Sequence, residues 1–198
     1  MSKNLEQRVT ELEKLVKELR KDKFKKIVEN LGVGDTFELA GLKWKILDIT
    51  EKEYKCLAER LEDNMKFDSK NNDWKTSDLR NYLNTDFYKK LATEIGEENI
   101  IPFERDLLSL DGQTEYEKCE DKVSLVTVDE YRKYRSLIPN TDKYWWWLIS
   151  PWSTPCNDYY ESVAVVSPSG RVSNYFFNCI RGVRPFVSFS SIIFESEE

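Results

Sequence analysis

Histidine is absent from all 198 residues, so the side chain that most readily moves protons at neutral pH is missing. The chain also lacks an HExxH helix, a GxSxG nucleophile elbow and a phosphate-binding loop, which are local signatures of metalloproteases, hydrolases and nucleotide enzymes. No catalytic residue, cofactor or metal centre is therefore expected. Cysteine occurs four times, as Cys56, Cys119, Cys156 and Cys179. None forms a CxxC pair, so a zinc site would need four widely spaced thiolates to converge, and free or buried thiols are the expectation. No apolar run approaches the length of a membrane span, and the N-terminal MSKNLEQRVTELEK lacks the apolar core of a signal peptide. A basic footprint is missing too. The formal net charge of -6 argues against nonspecific nucleic-acid binding and suits solubility.

What is present is a core and an unusual concentration of rings. Hydrophobic residues make up 40% of the chain and aromatics 13%, enough for one well-packed domain plus an appendage. The stretch from Tyr144 to Phe189 organises the rest. It holds Trp145, Trp146, Trp147 and Trp152, then Tyr159 and Tyr160, then Tyr175, Phe176 and Phe177. Between these clusters lies a hairpin signature. Val163 to Val166 is a β-branched run, Ser167-Pro168-Ser169-Gly170 has the composition of a type I turn, and Val172 begins the return strand. Aromatics interleaved with β-branched residues are the ordinary content of a sheet core. The segment SNYFFNCIR, Ser173 to Arg181, reads otherwise. Asn174, Asn178 and Arg181 do not suit a buried strand, and three consecutive rings cannot all point to one face. At least one large ring should be exposed, which is the composition of a recognition surface: rigid rings beside adaptable Asn and Ser.

WLISP at Trp147 to Pro151, SPSGRV at Ser167 to Val172 and GVRPF at Gly182 to Phe186 together resemble the closing half of C-type-lectin-fold domains related to formylglycine-generating enzyme. More narrowly, they resemble the variable proteins of diversity-generating retroelements in bacteria and their phages. WKTSDLRNYLNTDFY (Trp74 to Tyr88) and KVSLVTVDEYRKY (Lys122 to Tyr134) are similar to such domains as well, so the resemblance covers most of the chain after about residue 31. It implies an α+β domain of C-type-lectin-like fold whose C-terminal region, about residues 144–186, displays diversified side chains to a ligand. Without the apolar core of a signal peptide, the chain is expected to be made in the cytoplasm and to stay soluble there, unless phage release or an unconventional route carries it to a virion or cell surface.

Adenine-directed mutagenesis of an AAC-type codon cannot produce Lys, Glu, Gln, Met or Trp. All nine residues from Ser173 to Arg181 belong to the permitted set, as do Asn157, Asp158, Tyr159 and Tyr160. Trp146, Trp152 and Glu161 do not, so as parts of a site they would be fixed or diversified from other codons. Asp158 and Glu161 are the candidate calcium ligands, but lectin-type calcium sites want a tight cluster of carboxylates and amides, and a solvated loop is the expectation here. Cys156 and Cys179 lack the neighbouring motif residues that would carry over copper-thiol chemistry.

Ahead of the domain, Leu5, Val9, Leu12, Val16 and Leu19 repeat in steps of four and three, with Val at a and Leu at d. This predicts a coiled coil over residues 1–31, too short to be stable alone; the competing reading is an amphipathic helix packed on its own domain. Val at a with Leu at d favours a dimer. Arg8 at g and Glu13 at the following e resemble a motif of parallel trimers, in which the Arg stem covers the seam and its head pairs with Glu of a neighbouring chain. A homotrimer is the expectation, with a dimer as the alternative. Gly32 and Gly34 mark the joint to a domain over residues 32–198.

Inside that domain, strands are predicted over Asp35–Leu39, Leu42–Ile49 and Tyr54–Ala58, then a charged loop from Glu59 to Asp73. Next comes a helix capped by Thr76 or Ser77, its inward stripe Leu79, Tyr82, Leu83, Phe87 and Leu91, broken near Asn84 and Thr85. Ile100 to Leu110 is read as a connection, Gly112 to Asp121 as a polar loop and Val123 to Val126 as a short strand. A short helix from Thr127 to Tyr134 follows. Strands first, helices in the middle and strands last is an α+β order, with the sheet built from both ends of the domain.

The functional expectation is a non-enzymatic binding protein whose partner is an unidentified protein ligand. Its candidate ligand-binding residues are Trp146, Trp152, Asn157, Tyr159, Tyr160, Asn174, Tyr175, Phe176, Phe177, Asn178, Ile180 and Arg181, with Trp145 and Trp147 assigned to the core beneath. A non-diversified assembly module of a phage or bacterium, or a carbohydrate-binding lectin, are the alternatives.

Overall fold

A computed structural model describes residues 4–28, 30–157 and 160–191. The chain opens with helix α1 (Leu5–Val28). Strands β1 (Thr36–Leu39), β2 (Leu42–Ile49) and β3 (Glu53–Ala58) form an antiparallel meander. Ala40 and Gly41 make the first turn, both at positive φ (53° and 73°), a conformation that glycine reaches without strain. After the two-residue β4 (Met65–Lys66) come helix α2 (Asp78–Tyr82), a π-helical turn (Leu83–Phe87) and helix α3 (Tyr88–Ile95). The chain continues through β5 (Ile100–Ile101), β6 (Phe103–Asp106), β7 (Lys118–Asp121) and helix α4 (Val128–Lys133). It closes with β8 (Trp146–Pro151), β9 (Ser162–Val166), β10 (Val172–Phe176), β11 (Ile180–Arg181) and β12 (Phe186–Ser190).

The last strand lies in the same sheet as the first. The larger sheet has the order β1-β2-β3-β12-β5, and a second, three-stranded sheet has the order β10-β9-β8. The fold is thus α+β, with its main sheet assembled from both ends of the domain. Two apolar clusters lie on opposite faces of the smaller sheet. Trp147, Ile149, Val163 and Val165 face one, together with Trp44, Phe189 and the helical stripe Leu79, Leu83, Phe87, Leu91 and Ile95. Trp146, Leu148, Ala164 and Val166 face the other, against Tyr131 of α4 and Phe186. A strand covered on both sides reads as an unbroken apolar run, and that is the physical reason for Trp146-Trp147-Leu148-Ile149. The imperfect alternation at the end of β2 has a related cause. Ile46 and Leu47 alternate between the first and second clusters, and the register irregularity between Ile46 and Asp48 then keeps Asp48 on the side of Leu47, where it accepts from the Tyr134 hydroxyl.

Several expected elements differ. The Gly112–Asp121 loop contains β7, which pairs antiparallel with β6 inside the expected connection. Val123 to Val126 is not a strand but a buried passage touching the sheet through one bridge, Ser124 to Phe186. Asn84 explains why the helix does not simply break: its amide donates to the Arg80 and Val123 carbonyls while its oxygen accepts from the Lys122 and Val123 N–H groups. The π turn holds this side chain against the passage, and π turns commonly occur where a side chain has a special task. Ser77 caps α2, and Thr127 caps α4 in a full capping box with Glu130.

Candidate functional site

The sequence-predicted site divides into three groups. Trp146 belongs to none of the surface ones: it is 1% exposed, in edge-to-face contact with Tyr131 at 5.7 Å and under the Arg184 guanidinium at 4.9 Å. Its assignment to a ligand site is corrected to the core, because β8 is buried on both faces. Trp145 moves the other way. Expected in the core, it is half-buried and meets the Tyr175 ring edge-to-face at 5.2 Å. Trp147 is fully buried as expected, its indole N–H donating to the Met65 carbonyl at 2.9 Å.

The second group forms a continuous surface along β10, the turn after it and β11. Phe176 and Ile180 are each more than half exposed, at 55% and 56%, and Asn178 is exposed between them. Tyr175 and Phe177 are half-buried, packed on the first cluster. Arg181 lies across the Tyr175 ring at 3.7 Å, within cation–π range, so Trp145, Tyr175 and Arg181 make a stack running from core to surface. Asn174, half-buried, pairs in register with Ala164 at the middle of the hairpin. Tyr160, 44% exposed, joins the same end of the sheet, since Phe176 is in register with Ser162 and the Phe177 N–H donates to the Glu161 carbonyl. Outside α1, the described residues show five strongly exposed large apolar side chains, Val33, Leu108, Tyr160, Phe176 and Ile180. Three of the five are on this surface, so it is an apolar patch rather than scattered exposure.

The third group sits aside. Trp152 is half-buried, its N–H donating to the Ser162 carbonyl. Asn157 is exposed and its amide donates to Asp111 at 2.9 Å, which turns it toward the loop around residue 111. Burial raises the Asp111 carboxyl, but donors from Ser109, Ser153 and Asn157 hold it below its ordinary value. Asp158 and Tyr159 lie outside the described residues.

The surface is stiff because of residues the sequence reading missed. The segment treated as a charged loop, Glu59 to Asp73, contributes β4, which pairs with β11. Its Phe67 and Asp68 N–H groups both donate to the Phe177 carbonyl, clamping the tip of the surface. Asp68 is buried, and its carboxylate accepts from the N–H groups of Lys70, Asn71 and Asp78. Burial raises its pKa, yet these backbone donors bring it below the ordinary value. Asn72, fully buried, donates to the Ser153 and Ser162 carbonyls and accepts from the Tyr116 hydroxyl at 2.6 Å. One signal was legible: Asx residues at 68, 71, 72 and 73 ahead of Trp74 are suited to bonding nearby backbone.

The GVRPF segment fixes the far end. Gly182 is needed for close approach, since a Cβ there would lie 2.8 Å from the Tyr144 ring and 3.1 Å from the Trp145 carbonyl oxygen. The Arg184 Nε donates to the Ala58 carbonyl at 3.0 Å. The four cysteines are free thiols, and no group of three or more Cys, Asp or Glu side chains suited to a metal ion occurs among the described residues. No described helix is long and apolar enough to cross a membrane.

Residues 47–138 match the model of a family described as a domain of unknown function (DUF6273). The match runs from within β2 to just after α4 and stops before β8, so the exposed aromatic surface lies outside it. No curated protein matches the chain, and no solved structure does either.

Proposed function

We propose that the chain is a ligand-binding display protein of C-type-lectin-like fold, related to the variable proteins of diversity-generating retroelements, that presents its C-terminal surface to a protein ligand. One observation carries the reading: Tyr160, Phe176, Asn178 and Ile180 reach solvent from a hairpin whose inner strand, β9, is buried along its whole length. Affinity in protein interfaces concentrates in a few aromatic and Arg side chains. Here Phe176, Ile180 and the Tyr175–Arg181 stack would supply it, with Asn174 and Asn178 adjusting hydrogen bonds. Every residue from Ser173 to Arg181 lies within the codon-permitted set, and β9 and β4 pair with the strands that carry them. A main sheet joining the first and last strands, with the aromatic hairpin in a smaller second sheet, agrees with the lectin-like fold.

The stalk fits the same purpose. Leu5, Val9, Leu12, Val16 and Leu19 are 42–73% exposed, an apolar stripe without a partner in a single chain, and three copies joined along it would present three weak sites together. The partner of the stalk is a second and third copy of this chain, and the display reading places the protein on a virion or cell surface.

Sequencing the gene in sister isolates tests the reading. Diversification predicts substitutions concentrated at Asn157–Tyr160 and Ser173–Arg181, with Trp147, Asp68 and Asn72 constant. Substitutions spread evenly over exposed positions would make the chain a non-diversified assembly module instead.

A further inference from the structure

Arg184 is a guanidinium buried without a counter-charge. It is 4% exposed, and beyond the single bond from Nε to the Ala58 carbonyl its two terminal nitrogens meet no hydrogen-bond or ion-pair partner among the described residues. Buried charges ordinarily find a partner, since the cost of leaving one bare is large. The Trp146 ring covers one side of the guanidinium at 4.9 Å but offers its nitrogens no hydrogen-bond acceptor. Arg184 lines a cavity of about 380 Å³ together with Glu59, Arg60, Pro139, Asn140, Thr141 and Tyr144.

The remaining walls supply donors. Arg60 lies over the Tyr144 ring at 4.7 Å and donates to Asn64 from one terminal nitrogen. Asn140 accepts from Arg135 through its oxygen, leaving its amide N–H groups, and the Tyr144 hydroxyl, without a protein partner among the described residues. Thr141 is spoken for, its hydroxyl donating to the Tyr144 carbonyl. The one carboxylate at the cavity, Glu59, is exposed and lies 4.0 Å from Lys43. Two guanidinium groups against one carboxylate leave a single net positive charge, in a chain that is acidic as a whole.

We infer that this cavity is an oxyanion site that binds a carboxylate group, with Arg184 at its floor, Arg60 and Tyr144 at its wall and Asn140 at its rim. The planar fork of a guanidinium matches the two oxygens of a carboxylate. A single net positive charge suits a monoanion better than a doubly charged phosphate, and the volume falls in the range of small-ligand pockets. The carboxylate has two sources, a free organic acid or an acidic side chain of a bound protein. Tyr144 touches the space beside Gly182, next to Arg181, so an acidic side chain of a ligand seated on the aromatic surface has a short path here.

The full chain should be titrated by thermal denaturation at matched ionic strength with three probes: acetate for a free acid, a capped glutamate tripeptide for a protein side chain, and inorganic phosphate. A saturable rise in melting temperature is expected with acetate or the tripeptide, the tighter of the two naming the source. Glu59→Gln removes the competing carboxylate and should tighten half-saturation about 3- to 10-fold, while Arg60→Gln should weaken it by a similar factor. Arg184 is left intact because its removal threatens folding. The inference fails if neither carboxylate gives a saturable rise, if phosphate binds more tightly than both, or if half-saturation is unchanged in both variants.

Discussion

The buried pair Arg105 and Glu130 shows what one charge is worth here. Arg105 is 2% exposed, and its two terminal nitrogens donate to the two Glu130 oxygens at 2.8 and 2.5 Å, with a further bond to the Leu125 carbonyl. Burial raises the Glu130 carboxyl, but the Arg105 guanidinium and the Thr127 N–H hold it below its ordinary value. Removing one member of such a pair strands the other, at roughly 3–5 kcal/mol. Glu130→Gln should therefore lower the urea-denaturation midpoint by an amount equivalent to about 3 kcal/mol, and the Thr127 capping box loses its charged member at the same time. The exposed site residues should behave in the opposite way. Phe176→Asn and Ile180→Asn are each expected to change stability by less than about 1 kcal/mol, whereas Trp147→Ala, which empties the middle of the first cluster, should cost about 3–5 kcal/mol. Thermal melts of the three variants check the division between display and support. Equal losses in all three would mean that the exposed apolar side chains carry the fold rather than a ligand.

At the scale of elements, helix α1 is two objects in one. Phe24 and Val28 are buried in the domain core, Phe24 against Phe37 and Phe189, and Lys23 pairs with Glu94 of α3 at 3.3 Å. The stripe from Leu5 to Leu19 has no such cover, and Leu15 beside it is 53% exposed as well. The double substitution Leu12→Asp and Val16→Asp should reduce the mass in light scattering from three times 23.5 kDa to one and leave the thermal melt of the domain in place. A parent protein that is already a monomer would remove the stalk from the argument. How much of this was legible depended on how local each element is. The N-terminal helix, the β1–β2 turn, the capping box at Thr127 and the Ser167–Gly170 turn are short-range patterns, and each occurs where its residues indicate. Strands β4, β5, β6 and β7 depart from the expected loop and connection because each is only two to four residues long and exists through a distant partner, β11 for β4, β12 for β5, and each other for β6 and β7. The Trp145–Trp147 run was misassigned for a related reason: alternation predicts facing only where one side of a strand meets water. Nothing local in the run says that both sides are covered, which buries Trp146, or that the strand begins only at Trp146, which leaves Trp145 half-buried at its end.

For the whole molecule, the missing histidine becomes a prediction about acid and base. Among carboxyls held below their ordinary values, Asp48 is lowered by the Tyr134 hydroxyl and Lys133, and Asp68 and Glu130 are lowered by the donors already described, against the effect of burial. Each binds its proton more weakly folded than unfolded. Each therefore stabilises the fold above the ordinary carboxylate range, and that stability is lost as pH falls through the depressed folded values. Asp73 opposes them, since burial raises its carboxyl, but Asp111 and Glu115, also held below their ordinary values, act with the three. On the alkaline side, burial pushes the Cys56 thiol well up and the Cys119 thiol up to about 11. A folded thiol that holds its proton past the ordinary value of 9.0 loses stability to an unfolded thiolate as pH rises above that value. Between these limbs no imidazole titrates. Stability measured by urea denaturation should accordingly be flat from about pH 5.5 to 8, fall below about pH 4.5 and fall again above about pH 9. Glu130→Gln should shorten the acid limb and leave the alkaline one unchanged, whereas replacing Cys119 with Ser should do the reverse. A slope centred between pH 6 and 7 would contradict this account, because no side chain in the sequence has its ordinary pKa there.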